Sequence, residues 1–287
     1  MSQNATYRTI TVDGLAIFYR EAGPKNAPIL LLLHGFPSSS RMFEPLFGRL
    51  ADHYHLIAPD YPGFGHSECP DRKSFSYTFD RLAEIMHHFC IALGLSRYTL
   101  YMQDYGSPVG FRIALVDPER VEALIIQNAV AHNSGLGENW KLRRKFWSNR
   151  TAHEDAFRKS FLSLEAARTR HVGSDLNSER YDPDLWTDEF AFLNQPGQAD
   201  IQIDLFYDYR TNLDLYPKWQ TWMRERQPRL LVIWGRFDPS FDISEPEAYR
   251  ADVPKSEIHL LEAGHFALDT AADQIAVTVR EFLKTMN

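Results

Sequence analysis

Three strand-like runs in this sequence end in side chains able to do chemistry together. Tyr98 to Met102 runs into Gln103-Asp104-Tyr105-Gly106, Leu230 to Trp234 into Gly235-Arg236-Phe237-Asp238-Pro239, and Ile258 to Leu261 into Ala263-Gly264-His265-Phe266. An aspartate at a strand-to-helix turn lies by the positive end of the helix, which favours its carboxylate form, and a carboxylate can attack an sp³ carbon. A histidine can then take a proton from water, with a second aspartate fixing its tautomer and stabilising the imidazolium. Each residue also has a plainer reading. Asp is a favoured helix N-cap, Asp-Pro is a common turn starter, and a lone histidine is more often a satisfied surface or core residue. There is no G-x-S-x-G segment. Ser107 has Tyr105 and Val109 where the glycines would be needed, so it reads as the first turn of a helix.

The elements that must hold these residues follow from hydrophobic patterning. Tyr7 to Val12 and Leu15 to Tyr19 flank Asp13-Gly14, a two-residue hairpin signal. The continuous apolar run Ile29 to Leu33 suits a strand buried on both faces. Tyr54 to Ala58 and Ala123 to Gln127 are further strands, and Phe79 to Leu93 and Ala271 to Lys284 have helical patterns. Strands alternating with helices predict an α/β chain with a mainly parallel sheet covered by helices. No buried-strand run occurs between Ala129 and Arg229, and so long a stretch is not a structureless loop. It predicts a helical cap over residues 133–220, inserted between core segments 1–132 and 221–287, roofing the carboxyl ends of the strands. The basic run Arg143-Arg144-Lys145 reads as the solvated face of a cap helix.

In order and context these strand ends resemble the α/β-hydrolase family, with nucleophile, acid and histidine in that chain order. The match covers nearly the whole chain. An aspartate at the elbow is similar to the epoxide hydrolase and haloalkane dehalogenase branch. The resemblance implies a hydrolase working through a covalent ester on Asp104, with His265 as base and Asp238 as its partner. It also implies that His34-Gly35-Phe36-Pro37 is the oxyanion loop, with the backbone N–H groups of Phe36 and Tyr105 as donors. Each such donor typically contributes about 3 kcal/mol. His34 would brace that loop at the edge of the substrate site, and Gly63 and Gly65 would shape the next loop. Tyr207-Asp208-Tyr209-Arg210-Thr211-Asn212 is similar to the cap segment that carries the ring-opening tyrosine of epoxide hydrolases. That makes Tyr209 the proton donor to the epoxide oxygen, with Tyr207 and Trp147 beside the substrate. An amphipathic cap helix with aromatics packed on the core is the competing explanation for these residues.

Three departures from the family pattern bear on the precise assignment. Met102 stands two before Asp104, where a small residue is usual. Lys145-Phe146-Trp147-Ser148 offers Phe and Trp where a second tyrosine is expected. Tyr105 follows the nucleophile where many relatives carry Trp. In haloalkane dehalogenases that Trp helps bind halide, and Trp147 could supply an indole donor instead. Fluoroacetate dehalogenases place arginines one and four after the aspartate, where this chain has Tyr105 and Pro108. Epoxide hydrolysis to a vicinal diol is the leading expectation, carbon–halogen hydrolysis the alternative, and a non-catalytic binder of the same fold a third.

Composition constrains the partners. The chain has 287 residues, 44% hydrophobic and 24% charged, with a net charge of −7 that argues against nucleic acid or anionic membrane as partner. Its two cysteines, Cys69 and Cys90, make no disulfide framework, and no Cys/His spacing suits zinc. No cofactor or metal is expected. The first six residues lack a leader pattern, and the longest apolar run is too short to span a bilayer, so a cytoplasmic protein is expected. The aromatic-rich cap predicts a small apolar organic substrate.

Overall fold

The structure, a computed structural model, describes residues 5–284. Residues 1–4, part of the stretch read for a leader, lie outside the described residues. The strands are β1 (Thr6–Val12), β2 (Leu15–Ala22), β3 (Ile29–Leu33), β4 (His55–Pro59), β5 (Tyr98–Gln103), β6 (Val121–Gln127), β7 (Arg229–Gly235) and β8 (Glu257–Leu261). They form one sheet in the order β1-β2-β4-β3-β5-β6-β7-β8. The β1–β2 and β2–β4 pairs are antiparallel, and β4 through β8 pair in parallel. This is the expected α/β-hydrolase architecture.

Local chemistry accounts for both kinds of pairing. Asp13 and Gly14 have φ of 49° and 83°, the doubly positive turn that matches the twist of a two-residue hairpin. In β3 the side chains alternate between two cores. Leu31 and Leu33 pack on one face, Leu30 and Leu32 on the other, and all four are buried. Helices α2 (Phe79–Ala92) and α3 (Gly106–Val116) cover the first face, while α1 (Glu44–Leu50) and α11 (Leu268–Lys284) cover the second. A continuous apolar strand is stable only when both faces are covered in this way.

Between β6 and β7 the described chain forms helices and no strand. They are α4 (Lys141–Ser148), α5 (Arg150–Phe161), α6 (Leu164–Val172), α7 (Asp184–Leu193), α8 (Gln198–Asp208) and α9 (Arg210–Arg226). Helix α9 runs six residues past the expected boundary at 220 before β7 begins at Arg229. Helix α10 (Glu245–Asp252) follows β7. No helix among the described residues is long and apolar enough to cross a membrane. The parallel strands β3, β5, β6, β7 and β8 all run the same way, so the residues that follow them meet at one sheet edge, under the helical segment.

Candidate active site

Asp104 sits on the turn between β5 and α3 with φ of 47°. A positive φ is uncommon for a residue with a Cβ and persists only where the surroundings enforce it. Here the crowding is visible. A Cβ on Gly35 would collide with Asp104 Cβ and the Gln103 side chain, so only glycine lets the β3 loop approach this turn. Met102, the departure noted in the sequence, is accommodated from the helix side. Its sulfur lies where a Cβ of Gly110 in α3 would be, so a small residue is still present at this contact, on the other partner. Ser107 lies inside α3 and donates its hydroxyl to Val130 O at 2.9 Å.

The expected partners converge on Asp104. Phe36 N–H donates to Asp104 Oδ2 at 2.9 Å. His265 Nε2 lies 3.9 Å from the same oxygen, and His265 Nδ1 is 2.9 Å from Asp238 Oδ2. Asp238 is held on both oxygens. Oδ2 also accepts from Asn128 Nδ2 at 2.8 Å, and Oδ1 accepts from the backbone N–H groups of Ser240 and Phe241 at 2.6 and 3.2 Å. A carboxylate so fully satisfied is fixed in direction and presents one lone pair to the imidazole. Burial pulls the His265 pKa down. The Asp238 charge and hydrogen bond, with the nearby Asp104 charge, outweigh it and carry the pKa to about 9.

Two residues of this constellation escaped sequence reasoning. Gln103 Nε2 lies 2.9 Å from His265 Nε2. Its amide can donate to the neutral ring or, rotated, accept from the imidazolium, since the amide orientation follows the network. Asn128, at φ of 43° after β6, braces Asp238 and also accepts from Gly235 N–H at 2.9 Å. Both are buried amides at strand ends, a signal present in the sequence but not distinctive by itself.

Above Asp104 is a narrow cavity walled by Phe36, Tyr105, Trp140, Phe206, Tyr209 and Phe241, with His265 at its floor. Tyr209 is buried there, its ring 6.0 Å from that of Tyr105 and 5.0 Å from that of Trp140. Burial first, and then the Asp104 charge, hold its phenol far above the ordinary pKa of 10, so it keeps its proton. The Tyr105 hydroxyl is buried without a hydrogen-bond partner among the described residues.

These contacts revise two expected positions, those of His34 and Tyr207, and one expected role, the free indole donor of Trp147. Trp147 lines the cavity with its ring, but its indole N–H donates to Phe206 O at 2.7 Å and is not free for a ligand. His34 does not line the cavity. It stacks on Tyr61 with ring centroids 4.1 Å apart, and burial lowers its pKa, leaving a neutral ring. That ring donates from Nδ1 to Gly35 O and accepts Tyr61 N–H at Nε2, so it braces the loop from behind. Tyr207 also stays outside the cavity, packed between the guanidinium groups of Arg150 and Arg210 at 5.2 and 3.8 Å from its ring centre.

The basic run is revised as well. Arg144 and Lys145 are exposed as expected, but Arg143 is buried and lines the cavity, as does Arg170 of α6. Trp140, Arg143 and Phe146 recur every three residues, so Arg143 occupies a slot in the apolar stripe of its helix, a signal that was available in the sequence.

Known proteins share this framework. The model of the alpha/beta hydrolase fold matches residues 28–272. An uncharacterized hydrolase of Saccharomyces cerevisiae is 40% identical over 270 residues, covering 92% of each chain. A haloalkane dehalogenase of Mycolicibacterium paratuberculosis is 36% identical over 115 residues, 40% of this chain and 38% of that one. Among solved structures, an epoxide hydrolase without ligand superposes with a TM-score of 0.80 over 99% of this chain and 100% of that chain, at 18% identity, a likeness of fold.

Proposed function

This chain belongs to the α/β-hydrolase fold family, and from that premise we propose that it hydrolyses a small epoxide to a vicinal diol through a covalent ester on Asp104. The observation that carries the reading is the strained Asp104 turn, with Oδ2 held by Phe36 N–H at 2.9 Å and His265 Nε2 held 3.9 Å away. The helical segment between β6 and β7 acts as a cap that closes the cavity over the reacting carbon.

In the first step an Asp104 oxygen bonds to an epoxide carbon, the ring C–O bond breaks, and the ring oxygen takes the Tyr209 proton. The Asp104 charge, which helped hold that proton on the phenol, disappears as the ester forms. The same loss acts on His265, whose high pKa rests partly on Asp104. The imidazolium returns a proton to the Tyr209 phenolate and becomes a neutral base. Water then bonds to the ester carbonyl carbon and gives a proton to His265. The developing oxyanion is met by the N–H groups of Phe36 and Tyr105. Collapse expels the diol oxygen, which takes the proton back from His265. The Asp104 acid protonates the imidazole again, restoring the resting ion pair.

The halide alternative keeps Asp104, Asp238 and His265 but needs donors for the leaving ion. The indole N–H groups of Trp140 and Trp147 both already donate to backbone carbonyls at 2.7 Å, so a leaving halide would have to be met by the Tyr105 hydroxyl or the cavity arginines, whereas the buried, protonated Tyr209 phenol suits an epoxide oxygen. The test is trapping. With His265→Gln and a terminal epoxide, intact mass rises by the full mass of the epoxide, on the peptide that contains Asp104. An adduct on Ser107, or full turnover in Asp104→Ala, contradicts the reading. Tyr209→Phe lowers epoxide turnover by roughly 10²-fold or more.

A further inference from the structure

Two of the groups lining the catalytic cavity are guanidinium cations that epoxide opening does not use. Arg143 and Arg170 are only 8% and 7% exposed. Arg143 lies over the rings of Trp140 and Phe161 at 4.3 and 4.4 Å, and Arg170 over the ring of Phe36 at 4.6 Å, beside the oxyanion loop. Arg170 donates from Nη2 to Phe161 O at 2.6 Å. Its Nη1 is buried with no hydrogen-bond partner among the described residues. Burial lowers both pKa values to about 10, helped for Arg170 by the charge of Arg143, so both groups remain cationic at neutral pH.

Burying a guanidinium is costly unless something compensates its charge and satisfies its donors. In the resting cavity carboxylates do part of this: Glu189 and then Asp104 favour the cationic form of Arg170, and Asp104 with Asp238 that of Arg143. Once Asp104 becomes an ester its share, the one nearest the reacting carbon, is gone, while two like charges remain in a small space. A substrate that brings its own negative charge supplies what is missing. The placement also suits capture. Arg143, Arg170 and Ser240 line both the cavity and an open groove on its outer side, which Lys159 and Glu165 border, so the pair stands between solvent and Asp104.

We propose that Arg143 and Arg170 form an anion pocket that anchors a carboxylate group of the substrate, making the preferred substrates short organic acids that carry their electrophilic carbon close to the carboxylate. This deepens the proposed function and, for the reacting group, rests on it. It revises the expectation of a purely apolar substrate. Only the electrophilic end meets the aromatic wall, while the carboxylate meets the planar donors of the guanidinium groups, which match its two oxygens.

Binding is tested apart from chemistry by titrating the wild-type enzyme with propionate, propionamide and bromide. Fluorescence of Trp140 and Trp147 at the cavity is the readout, with calorimetry alongside. The pocket predicts saturable binding of propionate, at least roughly tenfold weaker binding of the isosteric propionamide, and loss of the propionate signal by roughly tenfold or more in Arg170→Gln. Arg170→Lys, which keeps the charge, retains part of it, and the melting temperature of each variant checks that the cap is folded. Bromide binding without propionate binding overturns the carboxylate assignment, as does equal binding of propionate and propionamide or undiminished propionate binding in folded Arg170→Gln. Turnover supplies the second arm. An epoxy acid should be processed with a KM at least roughly tenfold below that of its amide, and Arg170→Gln should raise the first KM and leave the second within a factor of about three. Arginine-dependent propionate binding with no adduct on Asp104 would leave the pocket standing and refute the covalent reading.

Discussion

Two buried histidines sit on either side of Phe266, each between two carboxylates, and they are built differently. His171 is gripped at both ring nitrogens, by Asp269 Oδ2 at 2.7 Å and Glu189 Oε2 at 3.0 Å. His265 is paired with a carboxylate only at Nδ1, by Asp238 at 2.9 Å, while Nε2 meets the neutral Gln103 amide at 2.9 Å and stands 3.9 Å from Asp104. His171 stacks on Phe266 with centroids 4.4 Å apart, and His265 meets the same ring edge-on at 5.1 Å. Burial lowers both pKa values and carboxylates more than reverse this, to about 10 for His171 and about 9 for His265. The difference lies in the second nitrogen. A histidine ion-paired on both sides keeps its proton and has no nitrogen left for a substrate, and its charge ties α6 and α7 to α11 as a fixed ion cluster. At His265 Nε2 a neutral amide takes the place of a second carboxylate, which leaves that nitrogen able to exchange a proton.

The sharpest way to break this contrast is to remove each ring. His265→Gln should cut turnover by roughly 10⁴-fold or more while accumulating ester, and His171→Gln should keep turnover within about tenfold. Steady-state rates beside intact mass decide it, and equal losses from the two variants would erase the distinction. The same pair should separate the opposite way in stability. Without its imidazolium, His171→Gln leaves Glu189 and Asp269 buried and unpaired, a loss of about 3–5 kcal/mol in urea unfolding. His265→Gln, which removes only one close ion pair, should lose less.

Asp238→Asn sharpens the role of the grip at Nδ1. The largest contribution raising the His265 pKa goes with the Asp238 charge, so the pKa of ester hydrolysis should fall and turnover should drop by roughly 10²–10⁴-fold. An unchanged pH profile would remove Asp238 from the base.

A smaller effect is the pH dependence of stability. Both histidines have pKa values raised above the ordinary 6.5, so each contributes fully below pH 6.5 and loses that contribution as pH rises through its folded value. The wild-type protein should weaken between pH 6.5 and 10. His171→Gln should flatten that slope over its whole span, and His265→Gln mainly below about 9. Slopes of unfolding free energy against pH that stay unaltered in both variants would contradict the assignment. The smallest effect is expected from Gly110→Ala, which forces Met102 out of its place under the Asp104 turn, a destabilisation of about 1–3 kcal/mol.

Strand ends were the most legible part of the molecule. Continuous apolar runs had to be parallel strands, and their termini had to share an edge, so Asp104, Asp238 and His265 could be brought together from spacing alone. The helical segment was legible in kind but not in the direction of its side chains. Arg143 looks like part of a solvated basic run until the helix is turned and its place between Trp140 and Phe146 becomes clear. Trp147 and Tyr207 were expected at the substrate because aromatics there fit either a wall or a core. Which one applies depends on a bond to Phe206 O in one case and two flanking arginines in the other, and neither partner is near in sequence. His34 adjoins the loop that does line the cavity, and only its ring stacking on Tyr61 shows it facing away. Met102 and Gly110 set a large side chain against a glycine across a helix–strand contact, a fit invisible from either position alone.

The central claim is that water attacks the Asp104 ester carbonyl and never the substrate carbon. A single turnover in ¹⁸O-labelled water, with enzyme in excess over an epoxide substrate, tests it directly. The predicted result is a diol free of label from that turnover and ¹⁸O in the carboxylate of the Asp104 peptide. Label in the diol from the first turnover, with an unlabelled Asp104, would contradict it.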